Sequence, residues 1–395
     1  MKEKLYELRL PIILILEIVL VFLFGDFIPE KITSLFYAIS LNLKDALLMV
    51  LPLIIFTFIV HSMCELKEGA LSFIILAFLM VLCSNFISTM LSGTLGEISL
   101  SYLDQKIFVA SQVDELLPMW EIHFPKLVTN EGALISGLMI GFTLSLFRKL
   151  KVKAYINYLY SFAVWFLKRI FVPIIPIFIF GFLLKMSYDG VLEVIIQDYI
   201  SIFLIVSILL LTYIILLYGI ATRFNPTNWF NALRNMLPAT ITGFSSMSSA
   251  SALLLIISGV EKNTKHYYGS SVVPITVNIH MIGDCFSIPI FATAILLSFG
   301  MPLPTMETYL LFTVFFVLTR FAVAAVPGGG IFITLPILEK YFGFNGEMLS
   351  LITAIYILFD PITTATNVLG NGAFAMHFSK VYQFFMFKSP KEKIS

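Results

Sequence analysis

Runs of apolar residues near the ~20 that a helix needs to cross a bilayer recur along the whole chain. They lie at about 10–28, 43–63, 70–96, 132–148, 154–186, 194–222, 266–299 and 347–379, and each predicts a membrane-spanning helix. Two further segments, about 228–258 and 305–340, have apolar arms around small and polar middles, "TGFSSMSSASA" and "AVAAVPGGG". A simple span built from either would present polar groups to lipid. A re-entrant helical hairpin shelters its irregular middle inside protein, so both segments are predicted to be hairpins. The last run has a pattern of its own. "YILFDPITTATNVLGNGAF", residues 356–374, carries Asp360, Thr363, Thr364, Asn367 and Asn371 at i, i+3, i+4, i+7 and i+11. On a helix of 3.6 residues per turn these share one face.

Composition makes lipid the solvent. Of 395 residues, 59% are hydrophobic and 12% charged, where soluble domains carry about a quarter charged residues. The net charge of +1 and the lack of a basic stripe point to membrane lipid and not to nucleic acid as a partner. Cys64, Cys83 and Cys285 fall in or beside apolar segments without paired spacing, which argues against a disulfide framework or a zinc site. The first apolar run follows "MKEKLYELR", and no small-residue cleavage site follows it, so it reads as the first membrane helix and not as a signal peptide.

Lysine and arginine positions orient the chain. With a cytoplasmic N-terminus and each hairpin returning to its own side, the inside holds Lys2, Lys4, Arg9, Lys67, Arg148, Lys149, Lys151, Lys153, Arg223, Arg234, Lys262, Lys265, Lys380, Lys388, Lys391 and Lys393. The outside holds only Lys31, Lys106, Lys126, Lys185 and Lys340. That bias is the one the positive-inside rule expects. The predicted fold is an all-α polytopic membrane protein: eight transmembrane helices, two opposite-facing re-entrant hairpins, and both termini in the cytoplasm of a cell with this chain in its inner membrane. Two interrupted segments entering from opposite faces match the broken helices of secondary transporters, whose sites lie near the midplane.

The polar constellations carry the chemistry. Threonines in a membrane helix often return their hydroxyls to the backbone. Asp360 is different, because an intramembrane carboxylate is costly without a partner and is a functional candidate by default. Pro361 beside it removes a backbone donor. In "SSMSSASA", serines can be small residues for close packing. At a hairpin tip, Ser248 and Ser249 can instead offer hydroxyls and N–H groups to a carboxylate near helix N-termini. "PGGG", 327–330, lacks the Lys-Ser/Thr ending of a phosphate loop, so Val326, Pro327, Gly328 and Gly329 are expected to form a gate tip. His280 and Asp284, one turn apart in a segment with Asn278 and Gly283, are either a self-satisfying pair or a proton relay.

These motifs, in order, resemble the dicarboxylate/amino acid:cation symporter family, the glutamate-transporter fold. "LLMVLPLIIFTFIV" resembles its second helix and "FPKLVTNEGALISGLMIGFTLS" its fourth-helix region. "SSASALLLIISGV" is similar to the first hairpin tip and "AAVPGGGIFI" to the second. "VNIHMIGDCF" sits where the seventh helix carries Asn-Met-Asp-Gly-Thr, and "DPITTATNVLGN" where the eighth carries Asp-x-x-Arg-Thr-x-x-Asn-Val-x-Gly-Asp. The resemblance implies a homotrimer. It also implies a static scaffold (1–69 with helices 1 and 2, 97–190 with helices 4 and 5) and an elevator-like transport unit (helix 3 at 70–96, and 191–395 with helices 6 to 8 and both hairpins).

With the resemblance, Ser248, Ser249, Asp360, Thr363, Thr364 and Asn367 are expected to bind substrate and Asn278, Asn367 and Asn371 to serve cation coupling, joined by His280 and Asp284 on their own ionisable chemistry. The departures from the family are specific. Thr363 stands where the family's Arg pairs with acidic substrates, Asn371 where it has a sodium-binding Asp, and Ile282 where the seventh helix has its Asp. Arg320, in the first arm of the second hairpin, is an added cation that either snorkels toward water or supplies a fixed charge near the site. The expectation is a symporter of a small neutral amino acid, with no cofactor and no resident metal, coupled to a proton through His280 and Asp284 more than to sodium ion. A carrier of acidic amino acids or C4-dicarboxylates that uses Arg320 is the alternative, and a non-transporting membrane receptor the reading outside transport. No nucleophile–base set or His/Cys cluster suggests an enzyme.

Overall fold

The computed structural model describes residues 9–64, 71–101, 116–122, 124–125, 128–146, 150–190, 192–264, 266–323 and 328–388. Regular structure among them is entirely helical. In the first half, α1 (Arg9–Phe24), α2 (Glu30–Cys64), α3 (Leu71–Leu100) and α4 (Asn130–Leu146) are followed by α5 (Leu150–Phe166) and α6 (Val172–Tyr188). A π-helical turn over Leu167–Phe171 joins the last two into one rod. Pro173 explains that turn: it lacks an N–H and crowds the Arg169 carbonyl four residues back, and the wider π turn relieves the clash. Helix α2 starts well before the apolar run at 43, because the amphipathic stretch from Glu30 continues the same helix.

The second half is α7 (Leu192–Ala221), α8 (Pro226–Ser246), α9 (Leu253–Asn263), α10 (Tyr268–Thr276), α11 (Ile282–Ser298), α12 (Met306–Thr319), α13 (Gly329–Phe342) and α14 (Gly346–Lys388). Asn225 caps α8 by accepting from the Asn228 N–H at 3.0 Å, with Pro226 at the first position. Met247, at φ +49°, ends that helix in the left-handed region, and α9 runs back along it. The Asn263 amide donates to Ala232 O at 3.0 Å and accepts from Asn235 Nδ2 at 2.8 Å, which ties the arms together. With 11 residues, α9 is roughly 16 Å long, about half of a ~30 Å hydrocarbon core. It cannot span alone. A second hairpin pairs α12 with α13.

The predicted span at 266–299 is not one helix. It breaks between Thr276 and Ile282, and residues 277–281 are irregular. Pro274 removes one donor from the preceding turn, and the loosened backbone is held from outside by Asn85 of α3. Its side chain donates to Ile279 O at 2.8 Å and accepts from the Met281 N–H at 3.2 Å. Irregular backbone at membrane depth is tolerated where protein supplies such partners.

Five helical stretches among the described residues are long and apolar enough to cross a membrane: Glu30–His61, Ser72–Leu100, Ala154–Tyr188, Tyr199–Ala221 and Gly346–Phe385. Gly132–Leu144 and Ile282–Ser298 are shorter apolar helices. The heaviest packing falls within two groups, with lighter contacts between them, such as α14 on α6 and α1. Helix α2 packs on α4 and α6, and α1 on α6, while α14 packs on α7, α8, α10 and α11, and α3 on α11 and α12. Apolar side chains such as Ile15, Leu16, Leu204, Ile208 and Leu211 stay exposed, as a lipid-facing surface requires. A cluster of buried polar and charged groups, among them Asp284, Arg320, Thr334, Asp360, Asn367 and Asn371, lies where α11, α13 and α14 meet, and a second run of buried polar residues lies on α3.

Candidate functional site

The polar stripe of α14 faces the break in the α10–α11 segment and the tip of the second hairpin. Asp360 Oδ2 accepts from the Gly328 N–H at 3.0 Å, and Thr364 Oγ1 donates to Asp360 Oδ1 at 3.0 Å. One turn on, Asn367 Nδ2 donates to Asp284 Oδ1 at 3.0 Å while its Oδ1 accepts from the Gly283 N–H at 2.8 Å. Another turn on, Asn371 Nδ2 donates to His280 O at 3.1 Å and Asn367 O at 2.9 Å. Each is the i, i+3/i+4 neighbour of the last, so one helical face docks three separate elements.

Gly283 permits that docking. A Cβ there would lie 2.2 Å from Thr363 O, so only glycine lets α11 and α14 approach this closely. Gly330 does the same for the hairpin, since its Cβ would fall 2.3 Å from Asp284 Oδ2.

Asp284 is the hub of the buried network. Its Oδ2 accepts from Arg320 Nη1 at 2.7 Å, and its Oδ1 accepts from Tyr356 OH at 3.2 Å as well as from Asn367. Arg320 is fully buried and also donates to Thr319 Oγ1, Gly330 O and Thr334 Oγ1. Its guanidinium carbon lies 4.2 Å from the centre of the Phe316 ring, a cation–π contact. A buried ion pair is tolerated only when further hydrogen bonds satisfy its remaining groups, and here they do. Asp360 differs: no described cation pairs with it.

A small cavity of about 40 Å³ opens between these elements. Its polar wall comes from Ser248 and Ser249 of the first hairpin tip, Asn278 of the break, Asp284, and Asp360, Thr364 and Asn367 of α14. Gly329 and Gly330 close it from the second hairpin. It has room for about three waters, so the gate must open for anything larger. A larger cavity of about 740 Å³, lined by Arg223, Lys262, Lys380 and several asparagines, lies at the far ends of α7 and α14, away from this centre.

The structure thus brings together most of the residues picked out from the sequence, with three differences. Thr363 is fully buried against α11, 3.4 Å from Ser287 Oγ, and does not line the cavity. His280 and Asp284 form no pair, because the helix is broken between them. The His280 ring meets Ser84 Oγ at 2.9 Å and packs on Phe374, leaving its buried Nδ1 without a partner. Arg320 faces away from the cavity into the Asp284 cage. Val326 and Pro327 lie outside the described residues.

Sequence reading missed Tyr356 and Asn85. Tyr356 is one turn before Asp360 on the same face, so extending the stripe backward finds it. Asn85 belongs to a second stripe, Ser84, Asn85, Ser88, Thr89 and Ser92, whose buried members bond α11 and α12: Ser92 Oγ donates to Cys285 O at 2.8 Å and Tyr309 OH to Thr89 O at 2.7 Å.

Hairpin tips and a broken helix converging on one buried polar centre define a secondary transporter built on discontinuous helices. The match to the Sodium:dicarboxylate symporter family, over residues 10–381, makes that specific: the chain belongs to this family. It is a multi-pass integral membrane protein and a cation-coupled symporter, not an enzyme. A comparison with individual curated proteins returned no match.

Proposed function

We propose that the transported solute is a small neutral amino acid. The observation that carries this is the charge arrangement at the cavity: Asp360 lines it without a cationic partner, and no described Lys or Arg lines it at all. A substrate ammonium complements Asp360 by a charge-assisted hydrogen bond. A second carboxylate on the substrate would meet Asp284 and neutral groups, and burying it unpaired is costly. The substrate's α-carboxylate fits the Ser248–Ser249 tip, where hydroxyls and the start of a helical turn favour negative charge. The acidic or dicarboxylate reading needs a free Arg320, and that guanidinium is already committed to Asp284, Gly330 and Thr334. Hydroxyls and amides around Asp360 suit a small neutral or hydroxylated side chain, as in alanine, serine or threonine.

The same reading gives the chain eight spans, two opposed hairpins and cytoplasmic termini. It makes α1, α2 and α4 to α6 a scaffold for a homotrimer, and moves α3 and α7 to α14 as an elevator. The two packing groups support that division. For coupling, the separation of His280 from Asp284 removes the geometry of a proton relay. A monovalent cation beside Asn371 is favoured instead, because Asn371 Oδ1 is a buried hard oxygen without a partner. Competition of unlabelled amino acids against labelled serine in proteoliposomes tests the substrate. Dominance of glutamate or succinate, with alanine and serine ignored, would overturn it.

A further inference from the structure

Arg320 sits in a setting that resembles an ion site more than a simple ion pair. Five oxygens from three elements surround its guanidinium: Asp284 Oδ2 at 2.7 Å on α11, Phe316 O at 3.4 Å and Thr319 Oγ1 at 3.2 Å on α12, and Gly330 O at 3.1 Å and Thr334 Oγ1 on α13. One carboxylate, two hydroxyls and two carbonyls, shared among Nε, Nη1 and Nη2, give the planar cation an all-oxygen surround. Both arms of the second hairpin contribute, and α11 supplies the charge. The cage depends on a glycine at 330, where any side chain would strike Asp284. Neutral oxygens from both hairpin arms satisfy the N–H groups that Asp284 leaves free, so one guanidinium ties α11, α12 and α13 together.

We infer that this cage is a monovalent-cation site filled from within the chain: the Arg320 guanidinium is a tethered cation that holds the second hairpin against α11. Closure of the hairpin at this point then needs no dissolved ion. Removing the side chain leaves the oxygens in place and opens a site for a free guanidinium or sodium ion. The inference rests on geometry independent of which solute is carried, and its principal readout needs no substrate.

The test is thermal unfolding of the purified full-length protein in choline, sodium and guanidinium chlorides at equal ionic strength, with guanidinium kept to low millimolar. For Arg320→Ala, the midpoint should rise in guanidinium, with sodium as a weaker substitute, while the wild-type midpoint does not rise in guanidinium. Adding Asp284→Asn to Arg320→Ala should abolish the response. A folded Arg320→Ala indifferent to guanidinium would overturn the proposal, as would an equal rise in the wild type.

Should Arg320→Ala not be recovered folded, the near-isosteric pair Arg320→Met with Asp284→Asn removes both charges without stranding either. Thiol labelling of Val323→Cys, read by mass spectrometry of the tip peptide, should then be several-fold faster than in Val323→Cys alone, because nothing holds the hairpin shut. Equal labelling would show that the cage does not secure the gate.

Discussion

Replacing Asp360 by Asn removes one charge and almost no volume. The fold can absorb it: the amide oxygen still accepts from the Gly328 N–H, now 3.0 Å from Oδ2, and the amide nitrogen can donate to Thr364 Oγ1, which sits 3.0 Å from Oδ1. The substrate loses an ammonium–carboxylate contact in a buried cavity. At an effective dielectric constant near 20, two unit charges about 4 Å apart interact by roughly 4 kcal/mol, and hydrogen bonds to charged groups contribute about 1.5–3 kcal/mol net. A loss of about 2–4 kcal/mol corresponds to a dissociation constant weaker by roughly 30- to 700-fold.

Equilibrium binding of labelled serine to purified protein measures this directly, with gel filtration and thermal unfolding as checks that the variant is folded. A deaminated analogue of serine separates the contact from general damage. It should bind weakly to the wild type and be weakened little further by Asp360→Asn, because the interaction term is already missing. Wild-type affinity for serine in the folded variant would remove Asp360 from the ammonium site. An equal loss for serine and its deaminated analogue would make the effect structural.

Gly283→Ala should destabilise the protein by about 1–3 kcal/mol, the usual cost of overpacking, because its new methyl would lie 2.2 Å from Thr363 O; a lower unfolding midpoint checks it, and an unchanged midpoint would refute the close-contact argument. Asn85→Ala should cost about 1–3 kcal/mol by leaving Ile279 O and the Met281 N–H without partners, and the same measurement with uptake should show both falling together. Thr363→Arg is expected to reduce folded yield and not to turn the carrier toward acids, since residue 363 faces Ser287 in a fully buried contact; a stable variant that prefers glutamate would place it at the substrate after all. Initial uptake should follow an imposed sodium gradient at equal pH and persist in His280→Ala, whereas uptake driven only by a pH gradient without sodium would restore the proton relay.

What the sequence made legible, and what it hid, follows from how each signal arises. The stripe from Asp360 to Asn371 could be read as one face because helical periodicity is local and a polar group in an apolar run carries a cost that some partner must offset. The identity of that partner is a long-range fact. Periodicity says that Thr363 and Asp360 look roughly the same way, yet Thr363 meets Ser287 while Asp360 meets the hairpin, because two helices and a hairpin tip divide one face among them. The spacing of His280 and Asp284 implied a pair only on the premise of a continuous helix. Pro274 ahead of them and Asn85 on another helix, which supplies the broken backbone with its partners, undo that premise. Arg320 was visible as an expensive cation, and expense alone suited both a side chain snorkelling to water and a fixed charge near the substrate; full burial excludes the first. The glycine at 330, which lets Asp284 reach it, and the oxygens of Thr319 and Thr334 then commit it to Asp284 and not to a substrate. A buried charge in a membrane sequence therefore announces that a partner exists, and the small residues near it indicate how close that partner must come.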